Sequence, residues 1–284
     1  MKQLTLQQLQ QMANRLRQDI IAMLLKAGSG HAAGPLGLAD IFAALYFSVL
    51  RHDPKNPDWN ERDLLVLSNG HCVPIRYAAM SRSGYFDLSE LDTLRKFGSR
   101  LQGHPERLRL PGLETTSGPL GSGLSQAAGM ALALKMDHSR RWVYCVMSDG
   151  EFQEGNTWEA IMLGAKYELA NLIAIVDRNN IQISGQTEDV MPLEDLAAKW
   201  ESFGWHVIEV DGHNIQSFID ACSLARAIEN RPSVIIAHTI PGKGVDFMEY
   251  DFLWHGAAPK DTQAKLALKE LRTLGGKIRN EQDD

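Results

Sequence analysis

The sequence predicts an α/β protein built on a parallel sheet with helices on both faces. Three observations carry this. From Trp142 onward, short apolar segments alternate with helical ones of a length suited to βαβ units. The strand segments are apolar runs, as expected of strands covered on both sides. At 284 residues and 44% apolar content, the chain is long enough to bury roughly 75% of its unfolded surface without staples.

Element by element, Leu9, Met12, Ala13, Leu16, Ile20, Met23, Leu24 and Ala27 fall on one face of a long first helix, which Gly28-Ser29-Gly30 stops. A second helix, about Leu38 to Leu50, is apolar nearly all round and is expected to be buried. Arg51 to Arg62 reads as a loop. Asp63 to Leu67 is a short buried strand ending in Ser68-Asn69-Gly70-His71. Helical stretches follow near Pro74–Arg82 and Leu88–Phe97, then a long Gly/Pro-rich loop, Gly98 to Gly121, and a helix from Ser122 to Asp137. Strand Trp142–Met147 is followed by a helix with Trp158, Ile161, Met162, Ala165 and Leu169 on one face. Strand Leu172–Val176, a helix near Leu193–Phe203, strand Trp205–Val210, helix Ile215–Ile228 and strand Ser233–His238 complete the pattern. A charged helical tail is expected over 260–284, leaving 1–259 as the folded domain.

Composition excludes several functions. The net charge is −6 and the isoelectric point about 5.9, the wrong sign for a protein that neutralises nucleic-acid phosphates. The longest strongly apolar run, Ile41 to Leu50, is half of what a membrane span needs. Lys2, Arg15, Arg17 and Asp19 interrupt any apolar export segment in Met1–Leu25. Cys72, Cys145 and Cys222 are few, odd in number and dispersed, so they read as buried thiols in a reducing compartment. A cytoplasmic protein is expected, with neither nucleic acid nor membrane as partner.

Ligands of open α/β sheets sit at the carboxyl ends of the strands. Two such ends are informative. Ser148-Asp149-Gly150-Glu151 follows one strand and Asp177-Arg178-Asn179-Asn180-Ile181 the next, so one right-handed crossover sets the loops side by side. Together they offer a carboxylate, a side-chain amide and backbone carbonyls, hard oxygen donors suited to Mg²⁺ or Ca²⁺ with phosphate oxygens completing the shell. Gly150 lets backbone approach a phosphate closely.

Asp149-Gly150 with Asn179-Asn180 thirty residues on resembles the thiamine diphosphate motif GDG-x-NN, with Ser148 in place of the first Gly. Five of nine histidines adjoin a glycine: His31, His71, His104, His213 and His255. Satisfied core or surface imidazoles are expected for His52, His138, His206, His213 and His238. None has the helical spacing of a zinc pair. Several neutral imidazoles converging on one cleft would instead suit proton traffic among sugar hydroxyls.

The wider sequence resembles transketolase from about residue 10 to residue 260. Ser29-Gly-His31 with Pro35-Leu-Gly-Leu-Ala-Asp40, Leu67-Ser-Asn-Gly-His71, Gly103-His-Pro-Glu106, Glu114-Thr-Thr-Ser-Gly-Pro-Leu-Gly-Ser-Gly123, Phe203-Gly-Trp-His-Val-Ile208, Asp211-Gly-His213 and Trp254-His-Gly-Ala257 stand in the family's order. The resemblance implies the thiamine diphosphate-binding fold, in its diphosphate-binding module. It implies that Asp149, Asn179 and the carbonyl of Ile181 hold Mg²⁺ (or Ca²⁺). His71, Gly150 and His255 would contact the diphosphate and thiazolium side, with Gly118, Pro119 and Leu120 along the aminopyrimidine. His31, His104 and His255 would face the donor sugar. Glu154 matches a glutamate at the family's subunit interface, or is an ordinary first-turn acid. Gly242-Lys-Gly244 resembles a mobile loop over the cofactor, or is a solvated linker.

The family's second module, which binds the aminopyrimidine and supplies an activating glutamate, has no counterpart in these residues. The resemblance therefore implies the N-terminal subunit of a split, Mg²⁺-dependent transketolase. Its partner would be a C-terminal subunit carrying that glutamate, in an α2β2 assembly, acting on sugar phosphates with the pentose phosphates as default. Two alternatives stand beside it. One is the α-type subunit of another thiamine diphosphate enzyme, a 2-oxo-acid dehydrogenase or a deoxyxylulose-phosphate synthase-like protein. The other is a non-catalytic cofactor-binding module.

Overall fold

The computed structural model describes residues 4–280. Its centre is a five-stranded sheet of β1 (Leu64–Leu67), β2 (Val143–Ser148), β3 (Leu172–Arg178), β6 (His206–Asp211) and β7 (Ser233–His238). The strand order is β1-β2-β3-β7-β6 and every pairing is parallel. A small antiparallel ribbon, β4 (Ile181–Gln182) with β5 (Gly185–Gln186), projects beyond β3.

Side-chain alternation along the strands divides the core. Leu65, Leu67, Tyr144, Val146, Ile173, Ile175, Ile235 and Ala237 face one way. They meet α1 (Leu6–Ala27), α2 (Ala33–Gly37), α3 (Ala39–Ala44), α4 (Val73–Ser83) and α9 (Ile215–Arg226). Val66, Val143, Cys145, Met147, Leu172, Ala174, Val176, Val234 and Ile236 face the other way, under α5 (Ser122–Met136), α6 (Gly155–Lys166) and α8 (Leu196–Ser202). A short α7 (Thr187–Val190) follows the ribbon. The expected layering, helices on both faces of a parallel sheet, is what forms.

The local chemistry explains the boundaries. Thr5 and Gln8 close a capping box at the start of α1, and Gly28 ends it at φ 67°, a left-handed conformation that suits glycine. The helix expected over Leu38–Leu50 starts earlier and is broken into α2, α3 and a π turn at Leu45–Val49. The segment expected as a helix over Leu88–Phe97 forms only a 3-10 stretch, Leu88–Thr93. Arg95 at φ 61° turns the chain back, and its N–H donates to the Leu101 carbonyl. The charged segment expected from residue 260 is helix α10 (Asp261–Asn280), and it is packed, not free. Ala264, Ala267 and Leu271 are buried in the α1-side core, and Asn14 on α1 donates to the Leu271 carbonyl at 2.9 Å. All three cysteines are free and buried. Among the described residues, no helix is long and apolar enough to cross a membrane.

Candidate active site

The parallel register places Ser148 on β2 opposite Asp177 on β3, so the chain leaves both strands at the same level. The two loops then bond directly. The Asp149 carboxylate, fully buried, accepts the Gly150 N–H on Oδ1 at 2.7 Å and the Asn180 N–H on Oδ2 at 2.7 Å. Asn180 sits at φ 61°, where asparagine is tolerated better than most side chains. Asn179 donates its amide to Asp177 at 2.8 Å, and its oxygen accepts the Ile181 N–H at 3.1 Å. Asp149, Gly150, Asn179 and Ile181 thus belong to one cluster.

Burial raises the pKa of three carboxylates in this cluster toward neutral pH. Burial pushes Asp149 up to about 6 against the pull of Arg178 and two backbone N–H groups. Burial pushes Asp177 up to about 7 although Thr239 and Asn179 donate to it. Glu151 likewise rises to about 7. Buried carboxylates that resist ionisation gain most from a nearby cation. Gly150 adds a cradle: a Cβ there would lie 3.7 Å from Gln182 Oε1, a buried acceptor with no hydrogen-bond partner among the described residues. An oxygen-rich, deprotonatable, backbone-lined site of this kind fits a divalent ion carrying a diphosphate.

The imidazoles form a second cluster. His31 and His71 have ring centroids 4.9 Å apart, His71 and His255 5.1 Å, and His31 and His255 5.7 Å. Burial is the largest cause holding all of them low. His31 falls to about 4, helped by His255, Arg95 and His104. His71 falls well below the usual range, with His255, His31 and His104 adding to the effect. His255 and His104 are lowered by burial, His104 also by Arg95. All four are neutral near pH 7, so each ring has a donor and an acceptor to offer. The buried Nδ1 of His31 has no partner among the described residues. Only His71 follows a strand; His31, His104 and His255 come from helix ends and loops, not from the strand ends.

Gly118, Pro119 and Leu120 lie between the clusters, just before α5. The Ser117 N–H donates to the Pro105 carbonyl at 3.1 Å, tying this loop to His104. A Cβ on Gly118 would be 3.8 Å from the His104 ring, and one on Gly70 would be 3.1 Å from the Gly118 nitrogen. Glu151 staples the parts together. It accepts the Ser68 hydroxyl from the end of β1, the Gly121 N–H at 2.6 Å and the Ser148 N–H at 3.3 Å. Neither Glu151 nor Asp177 was singled out by sequence reasoning, because an acid beside a motif looks like any loop acid. The signal available was an acid three residues after Ser148, a capping-box spacing that does form.

The remaining histidines mostly fit the ordinary reading. His52 bonds Tyr85 and the Tyr46 carbonyl, His213 bonds Asp40 and the Ile240 N–H, and His238 bonds Glu209. His206 differs: its buried Nε2 has no partner among the described residues. Glu154 is exposed at the start of α6. Gly242-Lys-Gly244 forms a packed turn, with the Gly242 N–H on the Ala33 carbonyl and Val245 and Met248 buried behind it.

Strand-end loops closed around a buried aspartate, beside converging neutral imidazoles, define a cofactor-binding α/β module. A family profile for the transketolase thiamine diphosphate binding domain matches residues 8–275. The 6-deoxy-6-sulfo-D-fructose transketolase subunit SqwG of Clostridium sp. (strain MSTE9) is 43% identical over 94% of this chain and 97% of its own length. An apulose-4-phosphate transketolase subunit of Phocaeicola vulgatus is 40% identical over 96% of both. Transketolase from Campylobacter jejuni superposes with a TM-score of 0.85 at 32% identity, covering 99% of this chain and 49% of the other. The chain therefore spans about half the length of that solved transketolase. It belongs to the transketolase family, as the N-terminal, thiamine diphosphate-binding part.

Proposed function

We propose that this chain is the N-terminal subunit of a two-component transketolase that moves a two-carbon ketol unit from a ketose to an aldose, the two relatives named above being transketolase subunits. The observation that carries the reading is the closure of the Asp149 and Asn180 loops on one buried carboxylate. Asp149, Asn179 and the Ile181 carbonyl would hold Mg²⁺, with Ca²⁺ as the alternative, and the ion would anchor the diphosphate along Gly150 and His71. Gly118, Pro119 and Leu120 would line the aminopyrimidine through backbone. Thiamine diphosphate, when bound, would supply the nucleophilic carbon that this transfer requires. His31, His104 and His255 would orient the sugar hydroxyls and pass their protons, which their neutral state permits; His255 would also touch the cofactor.

The partner in this reading is a C-terminal subunit with the pyrimidine-binding module and activating glutamate, in an α2β2 complex working on sugar phosphates in the cytoplasm. The free, buried cysteines accord with a reducing compartment. Purified chain with Mg²⁺, thiamine diphosphate and a ketose donor should turn over only when the C-terminal subunit is added. Asp149→Ala should abolish Mg²⁺-dependent cofactor retention by the complex while the far-ultraviolet circular dichroism stays native. Full turnover by this chain alone overturns the two-component reading, and unchanged retention in Asp149→Ala overturns the metal assignment.

A further inference from the structure

Arg178, the last residue of β3, stands immediately before Asn179 and makes two charged contacts. One guanidinium nitrogen donates to Asp149 Oδ2 at 3.1 Å and the other to the Glu188 carboxylate at 2.6 Å. Its side chain is 11% exposed. Asp149 Oδ2 already accepts the Asn180 N–H and Oδ1 the Gly150 N–H. The guanidinium therefore fills one of the few directions from which a cation could reach this carboxylate. A divalent ion arriving by itself meets a fixed positive charge where water screens poorly. Arg178 also has somewhere else to stay. Glu188 is pinned independently of it by the N–H groups of Leu193, at 3.1 and 3.3 Å, and of Glu194, at 3.1 Å.

We propose that Arg178 is a positioning residue that couples divalent-ion uptake to arrival of the diphosphate. It supplies counter-charge to Asp149, opposes an ion entering alone, and yields to Glu188 when ion and diphosphate arrive together with their charges balanced. The proposal rests on the reading of Asp149, Asn179 and Ile181 as the ion's donors. It concerns a cation that the residue types of the motif do not require.

Calorimetric titration with Mg²⁺ of the chain assembled with its C-terminal subunit, without and with saturating thiamine diphosphate and corrected for the free Mg²⁺–cofactor complex, tests it. In the unsubstituted chain the cofactor should tighten Mg²⁺ binding strongly. Arg178→Gln should bind Mg²⁺ alone about tenfold more tightly, and the cofactor's enhancement should shrink by the same factor, since with the cofactor present Arg178 has already yielded and Mg²⁺ affinity is unchanged. Arg178→Lys, which keeps the charge, should retain the coupling. An Arg178→Gln chain that binds Mg²⁺ alone no better than the unsubstituted one, or gains equally in both titrations, overturns the proposal. Asp149→Asn separates the two claims. If it abolishes Mg²⁺ binding while Arg178→Gln changes nothing, only the role of Arg178 falls; if it leaves binding intact, or if the unsubstituted chain takes up Mg²⁺ under neither condition, the metal-site reading falls and the proposal with it.

Discussion

Glu151→Gln is expected to change sign with pH. Burial raises the Glu151 carboxyl to about 7, whereas in the unfolded chain it titrates near ~4.3. Between those values the native chain holds a proton that the unfolded chain has released. Native protons then outnumber unfolded ones, so stability falls as pH rises through the window. From pH 5 to pH 8 the loss is about 3 kcal/mol, at roughly 1.4 kcal/mol for each pH unit up to the native pKa. Glutamine has no such slope. It keeps one oxygen for Ser68 and Gly121 but turns an amide N–H₂ toward the Ser148 N–H, a donor that Glu151 now satisfies. That mismatch costs about 1–3 kcal/mol. The variant should therefore be less stable than the unsubstituted chain by about that amount at pH 5, and equal to it or more stable at pH 8. Asp149 and Asp177 titrate in both chains, so the difference isolates Glu151. Urea unfolding of the chain without added metal at the two pH values provides the measurement. An equal penalty at both would refute the claim that burial, and not some pH-independent contact, sets the state of this carboxyl.

Other substitutions probe the frame and the imidazoles. Gly164→Ala places a Cβ 2.7 Å from Trp205 Cζ2, in a ring held by its N–H on the Ile161 carbonyl and packed edge-on against Trp200; overpacking should cost about 1–3 kcal/mol in chemical denaturation. Gly70→Ala drives a Cβ within 2.7 Å of Ser117 Cβ and 3.1 Å of the Gly118 nitrogen, so thiamine diphosphate retention by the assembled complex should fall at least tenfold, by roughly 1.4 kcal/mol or more, with a smaller change in melting temperature. His31 is held down to about 4, so the unfolded chain takes up its proton first as pH drops from about 6.5. Stability should then decline by roughly 3 kcal/mol across that window, and His31→Gln should flatten this acid limb in melts at pH 4.5 and 6.5.

The sheet was legible because its residues face one choice only. A run such as Leu172–Val176 is fully buried, and apolar content alone specifies it. That the two strand-end loops meet was legible from one right-handed crossover between consecutive strands, and the Asp149 carboxylate does accept the Asn180 N–H. Boundaries failed where a tertiary contact overrode local preference. Leu88–Phe97 has helical periodicity, yet the bond from Arg95 to Leu101 ends the helix early. The segment expected as a helix from residue 260 does form one, α10, but its packing was hidden. Charge along 260–284 hides a sparse apolar stripe of Ala264, Ala267 and Leu271, which is buried only because α1 is there to receive it. Glu151 and Asp177 were invisible because their roles depend on donors far away in sequence, Ser68 and Thr239.

The two clusters follow opposite electrostatic logics, and that opposition explains how one set of loops can serve both ends of a reaction. Around Asp149, burial makes carboxylate charge costly, so the arriving charge of a cation would stabilise it. Around His71, burial and mutual proximity hold imidazoles neutral, so an added proton is what the cluster disfavours. A cationic imidazole there would repel its neighbours across 5.1 Å and could no longer accept a proton from a hydroxyl. The clusters share a frame through one carboxylate, Glu151, whose bond to Ser68 lies three residues from His71 and whose position lies two residues from Asp149. Spacing between the Asp149 cluster and the imidazole cluster is thereby tied through the covalent chain and one buried staple. This is why a change at Glu151 should disturb both ends together, whereas changes at Arg178 or at His31 should each disturb one.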